Sequence, residues 1–194
     1  MNTLKLRTVF TAAALAASSI AFVGCTTTRP DDNASSASSR TSIDAQVDAT
    51  LSKLYNAVPD SREMVAKSKG VLVFPSVVGG SLGIGAEYGR GALRVGNRTQ
   101  AYYSTTAGSI GFQAGAHSRA VVYLFTTQEA LDKFRNSKGW TAGADASVAA
   151  ATMGANGRID TNTMRQPVVG FVLTNLGLEA GVSLQGAKIS EVRV

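Results

Sequence analysis

Glycine placement constrains this fold more than any other feature, because nineteen of the 20 glycines fall between residues 70 and 186. Many lie inside apolar stretches, not between them. Gly83 and Gly85, Gly89 and Gly91, and Gly111 with Gly115 are spaced by even numbers, which puts each set on one face of a strand. A glycine inside a strand costs stability and marks a bulge, a sharp bend or the close approach of another backbone. The pattern predicts strongly coiled sheets that close toward a barrel-like body.

Ahead of that region the period is helical. Ile43, Val47, Leu51, Leu54, Tyr55 and Val58 share one helix face, with Ser42 as N-cap and Pro59 as the stop. Asp44, Asp48 and Lys53 occupy the other side. A helix lying on a membrane would be rich in Lys and Arg there, so this one is expected to pack on the domain. A short second helix follows Asp60-Ser61 and runs through Met64 and Val65 to Ser68. From Gly70 the period changes, and Val71-Leu72-Val73-Phe74 reads as a buried strand that Pro75 ends. Further strands are expected over 82–88, 92–95, 99–105, 110–116, 119–125, 141–152, 168–174, 178–184 and 188–194. Gly96-Asn97 reads as a hairpin turn and 154–157 as a late turn. One helix interrupts the strands, capped by Thr126 with Glu129 and carrying Ala130, Leu131 and Phe134 on its apolar face. The fold class is α+β: N-terminal helices, then a predominantly antiparallel, Gly-rich β-domain with one inserted helix.

The amino-terminal end reads as an address. A basic start (Lys5, Arg7) and an apolar run from Val9 to Val23 lead to Gly24 and to Cys25, the one cysteine of the chain. The run is too short to be a secure membrane span. Phe22-Val23-Gly24-Cys25 resembles the lipobox of bacterial lipoproteins, with Phe22 where Leu is usual. The resemblance implies a signal peptide over residues 1–24, cleavage before Cys25, and a covalent lipid anchor on its thiol and new amino group. An ordinary signal peptide with an incidental Cys is the other reading. Thr26 follows Cys25 where Asp does not, which resembles the sorting pattern of outer-membrane lipoproteins and implies an anchored protein facing the periplasm. Residues 25–42 contain no large apolar side chain and are expected to be the lipidated Cys and a flexible tether. That leaves 43–194 as one domain. A single Cys leaves no internal disulfide to form.

Little in the domain points to reaction chemistry. The net charge is +6, two of it on Lys5 and Arg7, and the bases are scattered, so nothing points to nucleic acid. His117 is the only histidine, and without a second His or a free thiol no metal or cofactor is expected. Glu87, Asp145 and Glu179 each interrupt an apolar, Gly-rich stretch. Two of them meeting would form an acid–base pair; tied to Arg90, Arg94 or Arg119 they would be structural. Gly80-Ser81-Leu82-Gly83-Ile84-Gly85 lacks the spacing of a dinucleotide fingerprint. Ser76, Ser104 and Ser109 have no nucleophile-elbow context. The expectation is a protein that is not an enzyme.

The stretch Ala66-Lys67-Ser68-Lys69-Gly70-Val71-Leu72-Val73-Phe74-Pro75 resembles the opening motif of the SYLF domain. Gly79-Gly80-Ser81-Leu82-Gly83-Ile84-Gly85, Ala101-Tyr102-Tyr103 and Gly111-Phe112-Gln113-Ala114-Gly115 continue the likeness in order. Gly143-Ala144-Asp145-Ala146-Ser147 and Gly177-Leu178 complete it, over about residues 55–190. The resemblance implies a lipid-binding domain: eukaryotic members bind phosphoinositide-containing membranes and some bind actin, while bacterial relatives are short secreted proteins or lipoproteins. It implies anionic membrane phospholipid as the partner, with Lys67 and Lys69 at the head groups and Met64-Val65 as an insertion edge. A structural envelope lipoprotein that binds a protein or glycan, with lipid only as its anchor, is the other reading.

Overall fold

A computed structural model of the chain describes residues 32–154 and 156–194. The expected signal peptide and Cys25 lie outside the described residues. The elements run α1 (Asp32–Ala57), α2 (Ser61–Lys67), β1 (Gly70–Val95), β2 (Arg98–Phe125), α3 (Gln128–Asn136), β3 (Trp140–Thr141), β4 (Val148–Ala150), α4 (Thr161–Met164), β5 (Val168–Thr174), β6 (Gly177–Leu178) and β7 (Lys188–Val192). The α+β class and the predominance of antiparallel pairing stand; only β4 runs parallel to its neighbour, β5.

Strands β1 and β2 are 26 and 28 residues long. They pair from Val95↔Arg98 at the turn to Gly70↔Phe125 at the far end, one continuous two-stranded ribbon. The separate strands expected before residue 126 therefore merge into two. Pro75 and the glycines bend the ribbon without ending it: register shifts fall between Phe74 and Val77 and between Ser81 and Gly83. Gly96 and Asn97 turn the chain with φ of 54° and 64°, the left-handed pair that a two-residue hairpin of this hand requires.

A straight strand of this length would span about 85–90 Å, far more than one domain's core can cover. The ribbon folds back instead. Its proximal arm (70–78 with 118–125) meets its distal arm (85–95 with 98–109). A methyl group on Gly91 would lie 2.0 Å from the Val73 carbonyl oxygen, and one on Gly89 would lie 2.8 Å from that of Ser76. This is the backbone approach that the even-spaced glycines predict. The sheet has seven strands in the order β3-β7-β2-β5-β4, with β1 beside β2 and β6 beside β5. Strand β2 is its spine, pairing β7 through residues 102–106 and β5 through residues 120–125.

Alternate side chains of the proximal arm feed two core layers. Val71, Val73, Val122 and Leu124 pack with α1, whereas Leu72, Phe74, Tyr123 and Phe125 pack with α3 and Trp140. Burial on both faces accounts for the unbroken apolar run at 71–74. Helix α1 buries the expected face, Ile43, Val47, Leu51, Leu54 and Val58. Its acids serve the sheet: Asp44 accepts hydrogen bonds from the hydroxyls of Thr99 (2.8 Å) and Tyr102 (3.0 Å), and Asp48 pairs with Arg94.

Several boundaries differ from expectation. The strand expected over 178–184 keeps only β6, because the chain turns away after Leu178. Helix α4 is a second inserted helix where one was expected, its start capped by the Asp160 carboxylate on the amides of Asn162 and Thr163. Helix α1 begins at Asp32, not at Ile43, so residues 32–42 are helical where a flexible tether was expected. Extending a helix whose nucleus is already packed adds one hydrogen bond per residue fixed, and Arg40 Nε donates to the Val194 carbonyl at 2.7 Å. Helix α3 is capped by Thr127, which accepts from the Ala130 amide at 3.2 Å, while Thr126 donates to the Gln166 carbonyl at 2.7 Å. The strand expected over 141–152 is split into β3 and β4 by a turn in which Gly143 has φ 85° and the Asp145 carboxylate accepts from the Thr141 amide at 2.6 Å. The late turn is present, closed by a Met153–Ile159 bridge.

Every buried hydrophobic residue among those described falls between Ile43 and Ile189, so the chain from Thr26 onward contains the whole described fold. No helix among the described residues is long and apolar enough to cross a membrane.

Two tyrosines make the α3-side layer sensitive to alkali. Burial pushes the Tyr103 hydroxyl up to about 12, and burial likewise pushes Tyr123 up. An unfolded tyrosine ionises near pH ~10, so above that pH the unfolded chain sheds protons that the folded chain keeps. Stability is therefore complete below pH ~10 and falls as pH rises toward about 12. Thermal melts from pH 8 to 12 should show a level midpoint, then a drop that Tyr103→Phe lessens. A midpoint that stays level throughout would contradict the burial.

Candidate functional site

Helix α2 is a seven-residue ridge fixed at both ends. At its start, the buried Ser61 hydroxyl donates to the carbonyls of Val58 (2.6 Å) and Leu54 (3.2 Å), which ties the ridge to the end of α1. At its finish, the Ser68 amide closes on the Met64 carbonyl at 3.0 Å and the Lys69 amide donates to the Phe125 carbonyl at 2.8 Å. Asp60 sits at the N-cap position but does not cap. Its carboxylate instead takes Arg158 Nε and Nη2, each at 3.2 Å, and so joins the ridge to the 153–159 turn.

A groove runs along each flank. The first, about 410 Å³, has Met64, Leu124 and Met164 as its apolar lining and Lys67 and Arg158 as its bases. Both bases are already paired, Lys67 with Glu63 and Arg158 with Asp60. Exposed pairs of this kind contribute only about 0–1 kcal/mol, so either base can exchange its carboxylate for another anion at little cost. The second groove, about 450 Å³, lies between α1, α2 and the β1–β2 turn, and its lining includes Leu51, Tyr55, Arg62, Val65, Val71 and Arg94. Arg62 stacks its guanidinium 4.4 Å above the Tyr55 ring. Arg94 is 15% exposed; it binds Asp48 and donates to the Asp44 carbonyl at 3.2 Å. Its Nε is buried without a partner among the described residues. Burial raises the Tyr55 hydroxyl above its ordinary value, opposed by the charges of Arg62 and Arg94. Ser68, at the end of the ridge, lines both grooves.

The residues singled out from the sequence divide across this ridge. Met64 and Lys67 line the first groove, Val65 lines the second, and Lys69 is exposed just beyond the helix end. Met64 and Val65 are half-buried against the α1-side core, so they present flanks to the grooves and do not stand out as a free edge. Cys25 lies outside the described residues. Arg62, Arg158 and Met164 were not signalled, and Arg94 only as a possible partner for an acid: the second groove draws on three separate elements, and no local spacing connects Tyr55, Arg62 and Arg94.

The three acids have separate partners. Glu87, 7% exposed, takes Arg119 Nη2 on both oxygens (2.8 and 2.7 Å) and lies 3.1 Å from His117 Nε2. Asp145 holds the Thr141 amide, and the Glu179 backbone amide donates to the Val172 carbonyl at 2.8 Å. No acid–base pair forms among them, and Glu87 takes the Arg119 tie that its position allowed. No cluster of three or more potential metal ligands occurs among the described residues.

These features define a class of protein: an α+β domain built on one folded-back β-ribbon, with a helical ridge carrying base-lined, apolar-floored grooves on its surface. Residues 106–193 match the family model described as Ysc84, Las17-binding protein actin regulator. This is the SYLF family that the sequence resembles, and residues 106–193 are similar to it. The match runs from the middle of β2 through β7 and includes the motifs at 111–115, 143–147 and 177–178. The ridge and β1 precede it. No curated protein matches the chain.

Proposed function

We propose that this chain is a non-enzymatic binding module, held by lipid on Cys25 at a bacterial outer membrane and facing the periplasm, whose α2 ridge engages anionic phospholipid. The observation that carries the proposal is the ridge itself, which sets Lys67 and the exposed Lys69 beside apolar-floored grooves. The match of residues 106–193 to a family associated with lipid and actin-related binding supports it from the C-terminal side. Each base near an anionic surface contributes roughly 1 kcal/mol, so a few acting together bind weakly. An anchor makes weak binding sufficient by raising the local concentration.

The chain from Thr26 onward is expected to sediment with vesicles of phosphatidylcholine and phosphatidylglycerol at low salt, to be released as salt rises, and to ignore phosphatidylcholine alone. Lys67→Glu with Lys69→Glu should weaken sedimentation several-fold. Failure to bind anionic vesicles at low salt would remove the proposal.

A further inference from the structure

The two grooves differ in charge. In the first, each base has an acid of its own. In the second, Arg94 is answered by Asp48, whereas Arg62 has no acidic partner among the described residues. One guanidinium is thus left over, above an aromatic ring and beside an apolar floor of Leu51, Val65 and Val71. The Tyr55 hydroxyl makes no hydrogen bond among the described residues, which leaves a second donor within the same groove. A planar guanidinium is matched to phosphate oxygens, and stacking on Tyr55 orients it before any ligand arrives. Charge and shape together call for a single negative charge attached to a short apolar body.

We propose that the groove between α1, α2 and the β1–β2 turn seats one phosphodiester of a monoanionic glycerophospholipid. Arg62 takes its charge, the Tyr55 hydroxyl donates to it, and Leu51, Val65 and Val71 contact the glycerol esters and first methylenes. This rests on the phospholipid reading above and gives it a particular seat. The ridge lysines then act as a diffuse attraction toward the surface, while Arg62 makes the discrete contact.

The test uses a short-chain lipid below its micelle threshold, so that a groove can be told from a surface. Dihexanoyl-phosphatidylglycerol is titrated into the chain from Thr26, with dihexanoyl-phosphatidylcholine in parallel, and amide shifts are followed by NMR. Saturable shifts at Val65, Val71 and Gly96 with the anionic lipid are expected, and weaker ones with the zwitterionic lipid. Arg62→Ala should lower affinity at least tenfold, Arg62→Lys should recover part of it, and reversal of an exposed base outside both grooves, Lys133→Glu, should change it less than twofold. Arg62 is exposed, so its replacement should leave the thermal midpoint unmoved. If Arg62→Ala binds within twofold of the parent, or the shifts map to the first groove, the seat is elsewhere even though vesicle binding stands. If the parent chain ignores anionic vesicles altogether, it is the function proposed above that has failed.

Discussion

Gly91→Ala is expected to destabilise the fold by at least about 3 kcal/mol, the upper part of the range for forcing an extra methyl into a packed interior. The methyl would sit 2.0 Å from the Val73 carbonyl oxygen and 2.8 Å from Phe74 Cδ1 and the Val73 carbonyl carbon. The first obstacle is backbone, so relief requires the two arms of the ribbon to part. Parting them uncovers Phe74 and Leu93, both fully buried. Gly170→Ala is the informative control. Its methyl would also meet an atom at 2.0 Å, but that atom is Leu184 Cδ1, the end of a side chain, and the next neighbours stand at 3.5 Å. Leu184 can turn aside, so a loss of about 1 kcal/mol is expected there. Urea unfolding of the two variants, compared at equal m-value, separates them. A Gly91→Ala protein as stable as its parent would mean that the arms do not touch.

The same glycines mark how far the sequence can be read. Even spacing at Gly89 and Gly91 announces that a backbone approaches one face of the strand. It cannot say that the approaching backbone belongs to the same strand, at Val73 and Ser76, because that depends on how the ribbon bends between them. The α1 face and the Gly96-Asn97 turn were legible for a simpler reason: each is decided by residues within a few positions of one another. Pro75 misled for an equally local reason. Proline removes one ladder hydrogen bond and so reads as an end, but here it falls in a register shift where the pairing is already interrupted. The site was only half visible. Met64, Val65, Lys67 and Lys69 lie within six residues of one another, the lysines inside the family's opening motif and the apolar pair just before it, whereas Arg62 and Arg94 meet only because α2 is pinned against α1 and the distal arm lies beside it.

The second large effect is expected at Glu87. This carboxylate belongs to the distal arm, whereas the groups it holds are Arg119 of the proximal arm and His117 just beyond that arm's end. It reaches them across Gly79, where a methyl would lie 2.7 Å from His117 Nε2 and 2.8 Å from Glu87 Cγ. The missing side chain is what lets the clamp close. Glu87→Gln keeps the shape but leaves Arg119, 19% exposed and with a buried, unpartnered Nε, facing a neutral group. Removing one member of a buried pair typically costs about 3–5 kcal/mol because the other charge remains desolvated. A loss of about 3 kcal/mol is expected here, since Arg119 retains some solvent contact. His117→Gln should cost well under half as much, because that ring is 44% exposed and contributes one contact. Replacing both partners, Glu87→Met with Arg119→Met, should recover most of the loss, since no charge is then stranded. The double-mutant cycle reads the coupling directly as a non-additive term. Additive losses, or a Glu87→Gln cost no greater than that of His117→Gln, would show that the ribbon holds its fold through backbone packing at Gly91 and Gly89 alone.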